Sequence, residues 1–260
     1  MNSYDAIAEL YDDDMGRNNS GADIDFFRDH ARRTQGRVLE LGCGTGRITL
    51  PLVKDGHHVV GVDISSRMLD VLERKARQSL SDGERTRLVV ANANMRDFTS
   101  DEQFSLILCP FCAFNYLVSQ DDQVALLNNT RANLAAEGLF IVDSFVPKYE
   151  ILSQPDPLES FDYERTLGDG TIVRRYKTIT QDRTAQINEI RRSYELYDRA
   201  HRLKDTVRMQ TRIRYMFKAE MEYFLRCHGF AIVSIYGDYE YAPYSYDAEK
   251  MVFVMRKAVP

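Results

Sequence analysis

Cysteine is scarce in this chain, with four in 260 residues. That is too few for a disulfide framework in a chain long enough to bury a full core. Cys43, Cys109, Cys112 and Cys227 therefore read as reduced thiols. Also missing is any apolar run approaching the ~20 residues of a membrane span, and Met1-Asn2-Ser3-Tyr4-Asp5 lacks the basic-then-apolar order of a signal peptide. The expected location is the cytoplasm, with no membrane partner. Excess positive charge is absent as well. The net charge is −5, whereas a general nucleic-acid binder needs a basic surface to neutralise phosphates. There is no internal repeat and no low-complexity linker. Cys109-Pro110-Phe111-Cys112 does fit C-x-x-C. A redox site of that kind opens a helix after an early strand, whereas this one follows a fourth, and one pair cannot supply four zinc ligands, so no metal is expected.

What is present is an ordinary globular composition, 44% hydrophobic and 28% charged, suited to one large domain or one domain with an elaboration. Its most informative stretch is Val38-Leu39-Glu40-Leu41-Gly42-Cys43-Gly44-Thr45-Gly46. Val38 to Leu41 read as the end of a buried parallel strand, the alternate glycines permit a tight turn where a ligand can approach, and a helix follows near Arg47. Dinucleotide sites carry G-x-G-x-x-G, but here the third glycine comes one residue early. Glu40 would also oppose a phosphate and suit a cation. S-adenosylmethionine, with a sulfonium, an ammonium and no phosphate, fits that charge better. A second apolar strand, His58 to Val62, ends about 20 residues downstream at Asp63, where a carboxylate can bind ribose hydroxyls.

Glu40 to Gly46 together with Gly61-Val62-Asp63-Ile64-Ser65 resembles motifs I and II of the class I S-adenosylmethionine-dependent methyltransferases. The resemblance runs from about Tyr4 to Phe145 and resumes at the C-terminus. It implies an α/β fold, a Rossmann-like seven-stranded doubly wound sheet, here with an antiparallel β insertion after strand five. It also implies S-adenosylmethionine as cofactor, with Glu40, Gly42, Cys43, Gly44, Gly46, Asp63, Ile64, Met68, Asn94, Met95 and Cys109 around it. Asn94 stands where many relatives have aspartate; its amide oxygen can still accept from the adenine amino group. Tyr4, Ile7, Ala8 and Tyr11 have helical spacing and share an apolar face, which by itself is equally core packing. By resemblance to the lid of small-molecule members, Tyr11 would contact the cofactor and Arg17 would pair with its carboxylate.

The core alternates strand and helix. Ser65 can cap a helix to about Leu80, Arg87 to Ala91 and Phe104 to Leu108 are strands, Asp121 can cap a helix to about Ala136, and Gly138 to Asp143 is the fifth strand. Ligands in such sheets bind outside the strands' carboxyl ends. That directs attention to the loop after the fourth strand, giving Phe111, Asn115, Tyr116 and Asp143 as substrate contacts and Tyr11 with Tyr116 as catalytic candidates. Tyrosine is frequent in this chain, and packing competes with function for each.

Beyond Pro147 the alternation gives way to strands alone, with period 2 clearest from Val207 to Phe217. The expected organisation is a lid and cofactor core over 1–146, an antiparallel insertion over 147–217 serving as substrate lid or dimer interface, and the last core elements over 218–260. From Gly170 through Lys218 there are thirteen Lys/Arg against five Asp/Glu, either solvated strand faces or a surface for an anionic substrate. The late insertion and aromatic loop resemble the deoxyamino-sugar N-methyltransferases, which implies a methyl acceptor that is a small molecule, at nitrogen or oxygen, and a homodimer. An RNA or protein methyltransferase using the basic sheet, and a non-catalytic cofactor-binding regulator, are the alternatives.

Overall fold

The structure, a computed structural model, describes residues 3–15 and 21–258. Eleven strands form two sheets among these residues. In the larger, β1 (Val38–Leu41) lies between β2 (Val59–Asp63) and β4 (Phe104–Cys109). Beyond β2 comes β3 (Leu88–Asn92), and beyond β4 come β5 (Leu134–Phe145), β11 (Lys250–Lys257) and the edge strand β10 (Phe230–Tyr236). β1 pairs in parallel with both neighbours, as do β2 with β3 and β4 with β5. Only β11 runs against the rest, antiparallel to β5 on one side and β10 on the other. The strand order reverses beside β1, and a crevice opens there at the carboxyl ends.

The strands' side chains divide by period 2 between two layers of helix. Leu39, Leu41, Ile107, Phe140, Val142 and Phe253 pack with Leu126 and Leu127 of α6 (Gln120–Asn133) and Leu225 of α8 (Lys218–Cys227). Val38, Leu106, Leu108, Ile141 and Val252 face Phe26 and Phe27 of α2 (Ala22–Thr34) and Leu52 and Val53 of α3 (Thr49–Lys54). α4 (Ser66–Ser79) begins as expected at Ser65, whose Oγ accepts from Met68 N at 3.2 Å. α6 begins earlier than expected, because Ser119 rather than Asp121 occupies the cap and accepts from Asp122 N at 3.1 Å. No described helix is long and apolar enough to cross a membrane.

The smaller sheet is an antiparallel meander of β6 (Leu158–Thr166), β7 (Ile172–Asp182), β8 (Ile187–Tyr197) and β9 (Leu203–Arg214). β6 lacks a readable alternation, since Tyr163 is its only fully buried residue. It nevertheless alters the charge reading. Its Asp162 takes Arg175 and Lys177, its Glu164 takes Arg174, and Arg183, Arg191 and Arg202 pair with Asp156, Glu189 and Asp198. With Arg214–Glu220 and Lys218–Glu222, eight of the thirteen basic residues have a carboxylate within ion-pair distance, while Arg192, Arg199, Lys204, Arg208 and Arg212 have none among the described residues.

The N-terminal segment is a 3-10 turn over Ser3–Ile7 followed by α1 (Tyr11–Met15), not one continuous helix. Asp12 and Asp14 lie inside α1. Tertiary partners hold them there: Asp14 is buried and accepts from Tyr163 OH at 2.7 Å, Tyr194 OH at 3.0 Å and Arg175 Nη1 at 2.5 Å. Ile7 packs with Tyr163, Val173, Tyr194 and Met209, so the segment forms the floor of the smaller sheet.

Candidate active site

A cavity of about 620 Å³ lies in the crevice beside β1, a volume in the range of small-molecule sites. One wall is the glycine turn, with Gly42 and Gly44 at φ +79° and +52°. A Cβ on Gly42 would stand 3.1 Å from Ala113 Cβ, and one on Gly44 would contact Met68 and Tyr11, so these positions keep the cavity open as well as permitting the turn. Val62, Asp63 and Ile64 continue from β2, Asn94 and Met95 follow β3, and Phe111, Ala113, Tyr116 and Leu117 follow β4.

Asp63 is the carboxylate of this wall. Oδ2 accepts from Gly44 N and Oδ1 from Ser65 N, both at 2.8 Å. Burial raises its pKa, opposed by those backbone donors. The bond to Gly44 ties the tip of β2 to the turn after β1, so the carboxylate is oriented before any ligand arrives. Asn94 Oδ1 accepts from Arg96 N at 3.1 Å, fixing the loop after β3. Ile64 is 55% exposed, an apolar side chain available as a contact at the cavity rim.

Three tyrosines also line the cavity. Tyr4 and Tyr116 share a hydrogen bond between their hydroxyls, and the Tyr4 ring makes edge contacts with Tyr11 and Tyr116 at centroid distances of 5.8 and 5.7 Å. Burial pushes all three pKa values up, and Arg192 pulls only partly against this at Tyr4 and Tyr116. Near neutral pH they are phenols, able to donate or accept hydrogen bonds.

Ten of the expected residues line this cavity: Tyr11, Gly42, Gly44, Asp63, Ile64, Met68, Asn94, Met95, Phe111 and Tyr116. Six others do not, and Arg17 falls outside the described residues. Glu40 alternates with Leu39 and Leu41 and shares the side of Val38, where Oε2 accepts from Thr49 Oγ1 of α3 at 2.5 Å. Burial pushes its carboxyl up to about 8, which favours a neutral acid beneath the turn. Cys43 is buried against Gly61, and Gly46 packs against Leu50 and Leu72. Cys109 lies in the core. Burial drives its thiol far up and that of Cys112 up to about 12, with Asp143 adding to both. These thiols are poor nucleophiles, which supports packing over redox chemistry for the C-x-x-C pair. Asn115 is buried and donates through Nδ2 to Arg214 O at 2.7 Å. Asp143 is buried behind the loop after β4, accepts from Cys112 N at 3.3 Å, and has Lys250 Nζ 3.9 Å away.

Sequence reading missed Ser3, Tyr4, Gln210, Thr211 and Arg212 as lining residues. Tyr4 shares the apolar face of Tyr11 and could have been found from that spacing. Nothing local marks 210–212, which reach the cavity because the smaller sheet lies over it.

Residues 38–138 match the family described as methyltransferase domain. The chain carries a methyltransferase domain. That domain spans β1 to the start of β5 proper and so contains the glycine turn, Asp63, the loop after β3 and the tyrosine-bearing loop after β4. The cypemycin N-terminal methyltransferase of a Streptomyces species is 28% identical over 262 residues, covering 98% of this chain and 97% of that relative. The dTDP-3-amino-3,6-dideoxy-alpha-D-glucopyranose N,N-dimethyltransferase of Streptomyces fradiae is 27% identical and aligns over 55% of this chain and 57% of its own length. With several curated relatives the alignment likewise spans about half of each protein. The fold is that of an S-adenosylmethionine-dependent methyltransferase from Clostridium acetobutylicum, with a TM-score of 0.79 at 21% identity, covering 99% of this chain and 100% of that one. Both sheets therefore lie within the shared architecture of the methyltransferase fold.

Proposed function

We propose that this chain transfers a methyl group from S-adenosylmethionine to an amine nitrogen of a small molecule, such as an amino sugar or another natural-product intermediate. The residues present fit the cofactor. Asp63, held by Gly44 N and Ser65 N, would take the ribose hydroxyls, Ile64, Met68 and Met95 would face the adenine, and Tyr11 would stand at the methionine end. The cofactor supplies an electrophilic methyl on a sulfonium. Much of the remaining task is alignment, which a rigid pocket provides.

One observation carries the choice of nitrogen. Apart from Asp63, the titratable residues lining the described cavity are three tyrosines and Arg212, with no histidine, lysine or second carboxylate. An oxygen or carbon nucleophile needs a base before it attacks, whereas a neutral amine needs only an oriented lone pair and a later route for its proton. Phenol oxygens of Tyr4 and Tyr116 would accept from the amine N–H groups and turn the lone pair towards the methyl. The names of the two relatives, one an N-terminal methyltransferase and the other an N,N-dimethyltransferase, agree with this reading.

Two measurements test it in order. Calorimetry with S-adenosylhomocysteine should show binding, and its absence would sink the reading. Labelled S-adenosylmethionine offered to matched amines and alcohols should then label amines only, and preferential labelling of alcohols would overturn the assignment to nitrogen.

A further inference from the structure

β9 is an edge strand, paired with β8 alone. In an antiparallel pair, residues alternate between those bonded across the ladder and those whose N–H and C=O both point away from it. Tyr215 N donates to Gln186 O at 2.9 Å, one step beyond the pair Arg214 and Ile187. Odd-numbered residues of this stretch therefore bond to β8, and Gln210, Arg212 and Arg214 turn their backbone groups to the free edge. Two side-chain contacts agree: Ser3 Oγ donates to Gln210 O, and Asn115 Nδ2 donates to Arg214 O. Between these anchored carbonyls lies Arg212, a lining residue of the cavity. Among the described residues its outward N–H and C=O have no partner.

We infer that this open backbone pair binds the main chain of a peptide substrate, whose terminal amine is the methyl acceptor. The inference rests on the methyl-transfer reading above and names its substrate class. The N–H of the peptide's second residue donates to Arg212 O, and the C=O of that residue accepts from Arg212 N–H. This is strand addition limited to one residue by the two anchored carbonyls. The terminal residue then continues by about 3.3 Å towards Tyr4 and Tyr116, which follow Ser3 and Asn115 in the chain. Arg212 thus presents the donor and acceptor spacing of a peptide unit beside the phenols proposed to orient the amine. A sugar amine has no amide to match it.

The test uses the full chain, S-adenosylmethionine and peptides X-Ala-Ala with each residue in turn at X. At least one should be methylated at its terminal nitrogen. An ester in place of its first amide, which removes the N–H, should lower kcat/KM about three- to tenfold, as loss of one hydrogen bond does. Arg212→Pro deletes the donor where an outward edge position tolerates proline; it should lower kcat/KM for the amide peptide to a similar extent with S-adenosylhomocysteine affinity unchanged. Equal rates for ester and amide, or transfer to amino sugars and to no peptide, would overturn the inference. Tight S-adenosylhomocysteine binding without transfer to any peptide would overturn it too, leaving the cofactor reading standing. Failure to bind S-adenosylhomocysteine would remove both.

Discussion

Tyr4 and Tyr116, 112 residues apart in the chain, meet hydroxyl to hydroxyl at the cavity wall. One comes from the N-terminal turn and the other from the loop after β4, so this contact joins the N-terminal segment to the core. Tyr116→Phe should remove the shared hydrogen bond while keeping the ring. We expect kcat with an amine acceptor to fall about tenfold, the scale of one well-placed hydrogen bond in a transition state. S-adenosylhomocysteine affinity should be unchanged. A Tyr116→Phe enzyme with wild-type kcat would assign the pair to packing.

Asp63→Ala leaves the N–H groups of Gly44 and Ser65 without their carboxylate and removes the expected ribose contact. Loss of charge-assisted bonds of this kind is worth about 1.5–3 kcal/mol. Titration calorimetry should accordingly show S-adenosylhomocysteine affinity reduced by at least about tenfold. Wild-type affinity in a folded Asp63→Ala protein would exclude Asp63 from the cofactor site.

Glu40 makes a stability prediction with a defined sign. Its folded carboxyl titrates near 8 against 4.5 for the ordinary group. Between those values the unfolded chain is ionised at this position and the folded chain is not, so stability falls as pH rises from about 4.5 to about 8 and this contribution is level beyond. Glu40→Gln retains an acceptor for Thr49 and cannot ionise. Denaturant unfolding at pH 5 and pH 8 should show the variant gaining about 2 kcal/mol or more relative to wild type at the higher pH. Parallel pH dependences for the two proteins would refute the assignment.

Asp14→Ala should loosen the N-terminal segment from the smaller sheet, since it removes the acceptor shared by Arg175, Tyr163 and Tyr194 while leaving Arg175 its bond to Asp162. Breaking a buried ion pair by removing one partner costs up to about 3–5 kcal/mol, and the bond that Arg175 keeps to Asp162 places this loss below that range. Hydrogen exchange should quicken across β6, β7 and β8, with weaker cofactor binding through loss of Tyr11. Unchanged exchange in those strands would show that the segment is held elsewhere.

Because carboxylates match eight of the thirteen basic residues between Gly170 and Lys218, substrate binding should respond weakly to salt. A steep linear fall of log affinity with log salt, in the manner of phosphate-neutralising proteins, would point to a polyanionic substrate instead.

The chain's local chemistry made much of the core legible. Alternate glycines after an apolar strand, an acid at the tip of the next, a serine cap and period-2 runs depend on neighbours within a few residues, and they located the glycine turn, Asp63, Met68 and the loops after β3 and β4. Local signals failed where long-range packing decides. β1 is buried on both sides, so its composition does not reveal that Glu40 turns to Thr49 of α3. β6 has one buried residue to announce it. The helical turn at Asp12 to Asp14 forms because Arg175, Tyr163 and Tyr194 arrive from the other half of the chain.

What the sequence alone determined is thus the fold class and the cavity residues that follow β1, β2, β3 and β4, since both follow from turn geometry and periodicity. The part built by the N-terminal turn and β9 was decided by tertiary structure. Ser3 reaches Gln210 across 207 residues and Asn115 reaches Arg214 across 99, and which backbone groups of β9 stay open depends on ladder register and edge position, properties that exist only once both sheets are assembled.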